Sequence, residues 1–383
     1  MDCGNPDKSL NQPRVWVLTN PHPGNRIQAV ALAEALGWSY DVKELHFNGW
    51  ARRRSYIPFL PLTTGFDRQN STPLTPPWPD LVIGVGRSTA PITRWIGRMS
   101  GGRTRTVQIG RTGGGMARHY DAVITPLHCR IPPDPRRYAT IAPLNSISLQ
   151  QLSEARSQWP GLLDGVPRPV VVLLVGGNAA RFRLSADDAE QMALQVRRWA
   201  EEGSGSVVAV TSRRTGQGAT QALQAVLGHP HRVYTWLPDR SANPYQALLA
   251  LADVLVVTGE SESMLAEAAA TTAPLYIFPV TEIKSTRIGS RLYEWGINRA
   301  NAYFSGKDGK ENIFHPIDFI FAWLMKSGLL RPRRDMKSLH NALFASGRAR
   351  PFGEPLVSAP QLPLPAEAPK VAQWLIKVLK LSP

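Results

Sequence analysis

Long apolar runs are missing from this chain. No uninterrupted stretch approaches the ~18 residues that a membrane-spanning helix needs, so a spanning protein is not expected. Cysteine is nearly absent too. Cys3 and Cys129 are the whole complement, too few for a disulfide scaffold and consistent with a reducing compartment. The first twelve residues are polar, with no basic-then-apolar leader, so no secretory signal is read there. Cysteine pairs, a recognition-helix pattern and an aromatic-basic ladder are all lacking, and nucleic acid is not an expected partner. No Asp-x-Asp triplet and no close His/Cys/Asp/Glu set occurs, so neither a metal nor a cofactor is expected.

What is present is length, base and alternation. A chain of 383 residues exceeds one ordinary core and implies two domains. The formal net charge of +15 implies attraction to something anionic: nucleic acid, acidic lipid or a phosphorylated ligand. The arginines come in short groups, Arg52-Arg53-Arg54, Arg213-Arg214 and Arg331 to Arg334 ("RPRR"), not in one block.

The chain reads as two β/α series. In the first, "RVWVLTN", "DLVIGVG", "TVQIG" and "DAVIT" are strand candidates, with helices over Asn25–Gly37 and after Arg87. In the second, "VVVLLVGG" leads into a helix that Ser185 caps and Gly203 stops. Strands and helices then alternate to about residue 280. Apolar runs of four to eight residues fit strands buried on both faces of parallel sheets. Two such series predict two doubly wound α/β domains facing across a cleft. The expected division is 1–155 and 165–300, joined by the Pro- and Gly-rich stretch Ser153–Pro169, with helices in 301–383 returning toward the first domain.

The stretch "VVTGESESMLAEAA", Val256 to Ala269, carries the most chemistry. A strand ends in Thr258-Gly259, and a helix begins near Ser261. Glu267 lies four residues after Ser263, so both project from one helix face. Free amides in a first helical turn suit phosphate, and a carboxylate one turn deeper suits ribose hydroxyls. The plain alternative is that Ser261 only caps the helix and Glu267 is paired elsewhere. Further polar loops fall at strand ends of the same series. Gly177 and Asn178 follow one strand, and Arg213, Arg214 and Thr215 follow another. Lys284 follows a third. Backbone approach at a glycine turn and bidentate arginine contacts both suit phosphate.

The segments "TGESESMLAEA", "TSRRT", "VGGN" and "PDLVIGVGR" resemble the mitochondrial-fission ELM-type family, whose bacterial relatives are described as glycosyltransferases. "AEAAATTAPLYIFP" is also similar to the donor-site helix of GT-B glycosyltransferases. The resemblance implies a GT-B fold of two Rossmann-like domains. It implies a nucleotide-diphosphate sugar, UDP- or GDP-linked, as substrate in the second domain, with Glu267 on the ribose and the helix start on the diphosphate. It also places an acceptor in the first domain, near Gly24, Asn25, Gln28 and Arg87. The base of a transfer reaction is sought among histidines at strand ends, His22 and His128. The family pairs the second histidine with an acid, where this chain has Cys129.

"NGWARRRSYIPFLPL" puts Arg52, Arg53 and Arg54 before an aromatic-apolar loop, a pattern suited to an anionic membrane surface or to packing on its own domain. The leading expectation is a metal-independent glycosyltransferase. It would be peripheral on the cytoplasmic membrane face and act on a lipid-linked or envelope glycan acceptor. The alternatives are a nucleotide-sugar epimerase of the same fold and a non-catalytic GT-B-like protein that recruits partners to a membrane.

Overall fold

The computed structural model of the chain describes residues 13–21, 23–54, 60–110, 114–179, 181–237, 243–283, 288–305, 316–327 and 329–381. In chain order, β1 (Val15–Thr19) is followed by α1 (Pro23–Leu36), β2 (Tyr40–Glu44), β3 (His46–Phe47), α2 (Gly49–Arg54) and β4 (Phe66–Asp67). Next come β5 (Leu81–Val85), α3 (Gly86–Met99), β6 (Arg105–Ile109), β7 (Ala122–Pro126) and β8 (Arg137–Thr140), with short 3-10 turns at Gly114–His119 and Leu127–Cys129. The second series is α4 (Leu149–Ser157), β9 (Val170–Val175), α5 (Ala186–Glu202), β10 (Ser206–Thr211), α6 (Gln217–Val226), β11 (Arg232–Tyr234) and α7 (Tyr245–Leu251). It continues with β12 (Val254–Thr258), α8 (Glu262–Ala269) and β13 (Leu275–Phe278). The remainder holds α9 (Ile288–Ser305), α10 (Pro316–Ser327), α11 (Met336–Ala345), β14 (Ala349–Pro351) and α12 (Glu367–Leu379).

The chain divides into two compact units. One is Met1–Ser146 with Arg287–Asp335 and Ala366–Pro383, and the other is Ile147–Thr286 with Met336–Pro365. This differs from three continuous blocks. α4, expected in the stretch that ends the first domain, packs against α7 of the second unit. α9, expected at the end of the second domain, packs against α10 and belongs to the first unit. The tail serves both units: β14 adds beside β13, and α12 packs on α1.

In the first unit the parallel strands run β2-β1-β5-β6-β7-β8. Every residue of β1 and β5 is buried, and alternation feeds two different cores. Val15, Val17, Leu81 and Ile83 pack with Leu32 and Leu36 of α1 and with Val371 and Leu375 of α12. Trp16, Leu18 and Val82 pack on the other face with Ile92 and Ile96 of α3. The uninterrupted apolar runs therefore follow from helices covering both faces. Truncating Leu32 to alanine costs about 2–5 kcal/mol in such a site.

In the second unit the order is β11-β10-β9-β12-β13-β14, again parallel. Counted from β9, that is the doubly wound order 3-2-1-4-5-6, whose direction reverses between β9 and β12. Ser185 caps α5 as expected: its Oγ accepts from the Asp188 amide at 3.0 Å, and Asp188 accepts from the Ser185 amide at 3.1 Å. Among the described residues, no helix is long and apolar enough to cross a membrane.

Candidate functional site at the switch point of the second unit

The loops after β9, β10 and β12 meet where the strand order reverses, the place where ligands bind in open α/β sheets. Glu260 is at the centre. Its side chain is fully buried, and its Oε1 accepts from the Gly177 amide at 2.6 Å and from Thr258 Oγ1 at 3.3 Å. Arg214 reaches it from the β10 loop, with Nη2 3.8 Å from Glu260 Oε1, and also donates to Ser261 Oγ at 3.2 Å. Burial pushes the Glu260 carboxyl above its ordinary value of 4.5, opposed by Arg214 and by the bonds from Gly177 and Thr258.

The glycine turn does different work from that expected. The Gly176 amide donates to Thr258 Oγ1 at 2.9 Å, that of Gly177 to Glu260, and that of Asn178 to the Arg214 carbonyl at 2.9 Å. These amides knit the three loops together, so the turn does not lend them to a phosphate. Gly177 holds φ +109°, and a Cβ there would run into the Arg214 carbonyl, so glycine is required by close backbone approach. Asn178 is exposed, and its Oδ1 accepts from the Leu184 amide at 3.2 Å. Thr215 Oγ1 is also internal, donating to the Val175 carbonyl at 3.0 Å.

Charge and a helix start remain for an anion. Arg213 is exposed, Arg214 is half-buried, and α8 begins at Glu262, directly after Ser261. Ser261 is buried, and its hydroxyl makes no bond to the first-turn amides of α8, accepting instead from Arg214. Ser263, in the first turn, is half-buried.

Glu267 is not an open, cleft-facing acid. It is 7% exposed, and the Tyr245 hydroxyl, from the start of α7, donates to Oε2 at 2.5 Å. One carboxylate oxygen of Glu267 is thus engaged by a phenol, a partner outside its own helix. Burial and then the neighbouring carboxylate raise the Tyr245 phenol well above its usual range, which keeps it a donor. α8 is clamped at its other end by Arg348, a buried side chain that donates to the carbonyls of Ala268, Ala269, Thr271 and Ala273 at 2.7–2.9 Å. Desolvation lowers this guanidinium to about 10. His340 of α11 braces the preceding loop through Nε2 and the Gly259 carbonyl, 2.7 Å apart.

Sequence reasoning missed Glu260, Tyr245 and Arg348. A signal existed for Glu260: an acid directly after a buried strand, in a series whose first strand ends in paired glycines. None existed for the other two, which are close only in space.

The first unit has an equivalent edge between β1 and β5, built from amides. Asn25 Nδ2 donates to Asn20 Oδ1 at 3.1 Å, and Asn20 Nδ2 to Ser88 Oγ at 2.9 Å. Gln108 of β6 donates to the Gly86 carbonyl at 2.9 Å and accepts from Thr93 Oγ1 at 3.1 Å. Gly24 accepts from Gln28 Nε2 at 3.0 Å within α1. Arg87 is exposed in the first turn of α3. His128, expected as a base, is fully buried beside the buried Cys129, and its carbonyl accepts from the Asp335 amide. A histidine with no accessible surface does not reach an acceptor hydroxyl. His22, Lys284 and the side chains of Arg52, Arg53 and Arg54 lie outside the described residues.

The class defined by these observations is an α/β protein of two doubly wound parallel sheets, each with polar groups gathered at its switch point. The chain belongs to the mitochondrial fission ELM1 family, whose description matches residues 23–307. It is 29% identical over 221 residues to "Mitochondrial fission protein ELM1" of Arabidopsis thaliana, covering 52% of this chain and 51% of the relative. The chain thus spans about half the length of that relative. It is 24% identical over 306 residues to "Uncharacterized protein RP120" of Rickettsia prowazekii (strain Madrid E), covering 69% and 82% of the two chains. Among solved structures, UDP-GlcNAc 2-epimerase from Neisseria meningitidis bound to UDP-GlcNAc aligns over 87% of this chain and 99% of its own, at 12% identity and TM-score 0.43.

Proposed function

We propose that the second unit binds the diphosphate of a nucleotide sugar and that the protein is a GT-B-type glycosyltransferase with an acceptor at the first unit. The observation that carries the reading is the meeting of Arg214 and the start of α8 at the switch point of the second sheet, with Arg213 exposed on the same loop as Arg214. Two guanidinium groups and a helix start offset the charge of a leaving diphosphate without a metal ion. Glu267, on the same helix, is the ribose acceptor. Tyr245 holds its carboxylate in place, a partner that sequence reasoning had not supplied. The acceptor is a lipid-linked or envelope glycan at the cytoplasmic membrane face. Hydroxyl-rich ligands suit the amide edge formed by Asn20, Asn25 and Ser88.

A second reading is favoured by the name of the Arabidopsis relative, a fission protein. Under it, the unit binds nucleotide without transferring sugar and recruits partners to a membrane. One experiment tests the common ground. At a ligand concentration of 100 dissociation constants, uridine or guanosine diphosphate should stabilise the protein by about 2.7 kcal/mol. A flat melting response to every nucleoside diphosphate removes both readings. Binding followed by sugar release only when a glycan acceptor is added selects the transferase. Conversion of the sugar without acceptor selects an epimerase.

A further inference from the structure

α9 and α10 pack as a hairpin through Ile297, Ala300, Ala322 and Met325, and Phe321 lies directly against Gly296. The outer stripe of a surface helix is ordinarily polar. In α10 this is reversed. Phe319, Ile320 and Trp323, spaced i, i+1 and i+4, point outward and are 58, 52 and 56% exposed. The one acid of α10, Asp318, is buried and pairs with Arg299 at 3.5 Å. Leu292 and Trp295 of α9 are exposed as well, and so is Leu329 just after α10. The aromatic surface crosses the hairpin: Trp295 stacks edge-on against Phe321 at 5.3 Å, and Tyr303 against Phe319 at 6.0 Å. A contiguous exposed apolar patch of this kind marks an interaction surface.

Its surroundings are cationic. α10 packs on the turn Gly114–His119, which carries Arg118. Arg94, Arg98, Arg118 and Arg136 crowd around His119, which burial first and then these arginines push down to about 4. Asp134 engages Arg136 at 3.3 Å and is the acid paired within this group. Lys326 lies one turn beyond Trp323, over the Phe304 ring at 5.7 Å. The two acids on the described parts of the hairpin are both tied to arginines: Asp318 as above, and Glu294 to Arg130 and Arg333 at 3.7 and 3.6 Å.

We propose that the outer face of α9–α10 docks the protein on an anionic lipid bilayer, with Trp295, Phe319, Ile320 and Trp323 entering the interface and Arg118, Arg136 and Lys326 meeting the headgroups. Trp and Phe on one face with Lys and Arg around them is the composition of interfacial helices. A second copy fits less well, because a two-fold contact sets the same cations against each other, and the acids described above, Asp134, Asp318 and Glu294, are already paired with arginines. The proposal extends the membrane part of the functional reading and names a different surface from the Arg52–Arg54 segment. It does not depend on nucleotide binding.

The test is co-sedimentation with equimolar phosphatidylglycerol/phosphatidylcholine vesicles and with pure phosphatidylcholine vesicles. The protein is expected to bind the former more tightly and to lose binding with added salt. Phe319→Ser with Trp323→Ser should weaken binding about tenfold or more. Arg118→Gln should weaken it about fivefold, the share of one basic group near an anionic surface. Melting temperatures should hold for both variants, since these side chains are exposed. Any one of three results overturns the proposal: no binding to anionic vesicles, a serine double variant that sediments like the parent, or a solution dimer that the double variant dissociates. Loss of binding on replacing Arg52, Arg53 and Arg54, with the serine variant unaffected, overturns it as well and returns the role to that segment. The nucleoside diphosphate melting shift, read on the same samples, separates failure here from failure of the donor site.

Discussion

The two sheets share one winding rule and differ in what closes their switch points. Between β9 and β12 the loops are joined through charge: the enclosed Glu260 carboxylate, Arg214, and the Glu267–Tyr245 pair. Between β1 and β5 they are joined through neutral amides and hydroxyls: Asn20, Asn25, Ser88 and Gln108. Buried charge costs desolvation and is offset only by several directed bonds, so the second edge is rigidly specified and sensitive to each partner. A neutral network has less at stake per group. The contrast separates an edge held together by charged side chains from one held together by neutral hydrogen bonds.

The largest expected effect concerns how α8 is held. Arg348→Met removes the bonds to four carbonyls and should destabilise the fold by about 3–5 kcal/mol, measured by denaturant unfolding. In the first unit the C-terminus of α3 is closed by the Ser100 amide on Ile96, and Arg103→Met should move stability by no more than about 1 kcal/mol. Similar losses at both would erase the distinction.

The glycines give the next test. Gly177→Ala meets both φ +109° and the Arg214 backbone and should cost about 3 kcal/mol. Gly86→Ala, at φ +78°, meets the Asn25 side chain, which can swing aside, and should cost about 1–2 kcal/mol. A reversed order would mean that the second edge is the softer one.

For ligand binding the comparison is between neighbouring acids. Glu267→Gln should lower nucleoside diphosphate affinity by about tenfold to a hundredfold, the share of hydrogen bonds to a charged group, read by calorimetry. Glu262→Gln should bind nearly as the parent does. Equal losses would point to general electrostatics. Tyr245→Phe should reproduce part of the Glu267 loss, because it takes away the bond that orients the carboxylate.

The smallest effect is in pH dependence. Burial holds the Glu260 carboxyl above 4.5 in the folded state, so folding favours its protonated form. That contribution is fully present below the unfolded value and is lost as pH rises through the folded one. Glu260→Gln carries no titrating proton, so its melting temperature should fall less than the parent's as pH rises through that window. An unchanged pH profile would mean that Arg214 and the Gly177 amide already compensate the charge.

Much of the fold was legible in the sequence because parallel strands covered on both faces must be apolar at every position. "VVVLLV" and "LVIGV" became β9 and β5, and Ser185 and Gly203 bounded α5. β2, with no fully buried residue at the sheet edge, and α4, in a polar stretch, carried no such signature. The site was legible by place and less so by role. The start of the serine-glutamate helix and Arg214 do meet the glycine turn. The turn's amides, however, are used internally, and Glu267 already has a phenol partner.

The sequence by itself determined the parallel sheets, the polar loops at their strand ends and the strong positive charge, because these follow from local periodicity and composition. Only the tertiary structure decided that Tyr245 meets Glu267, 22 residues away, that Arg348 clamps α8 from 79 residues beyond, and that the apolar stripe of α10 faces outward. Hydrogen-bond partners and burial depend on which elements pack together, and packing is set by the whole chain.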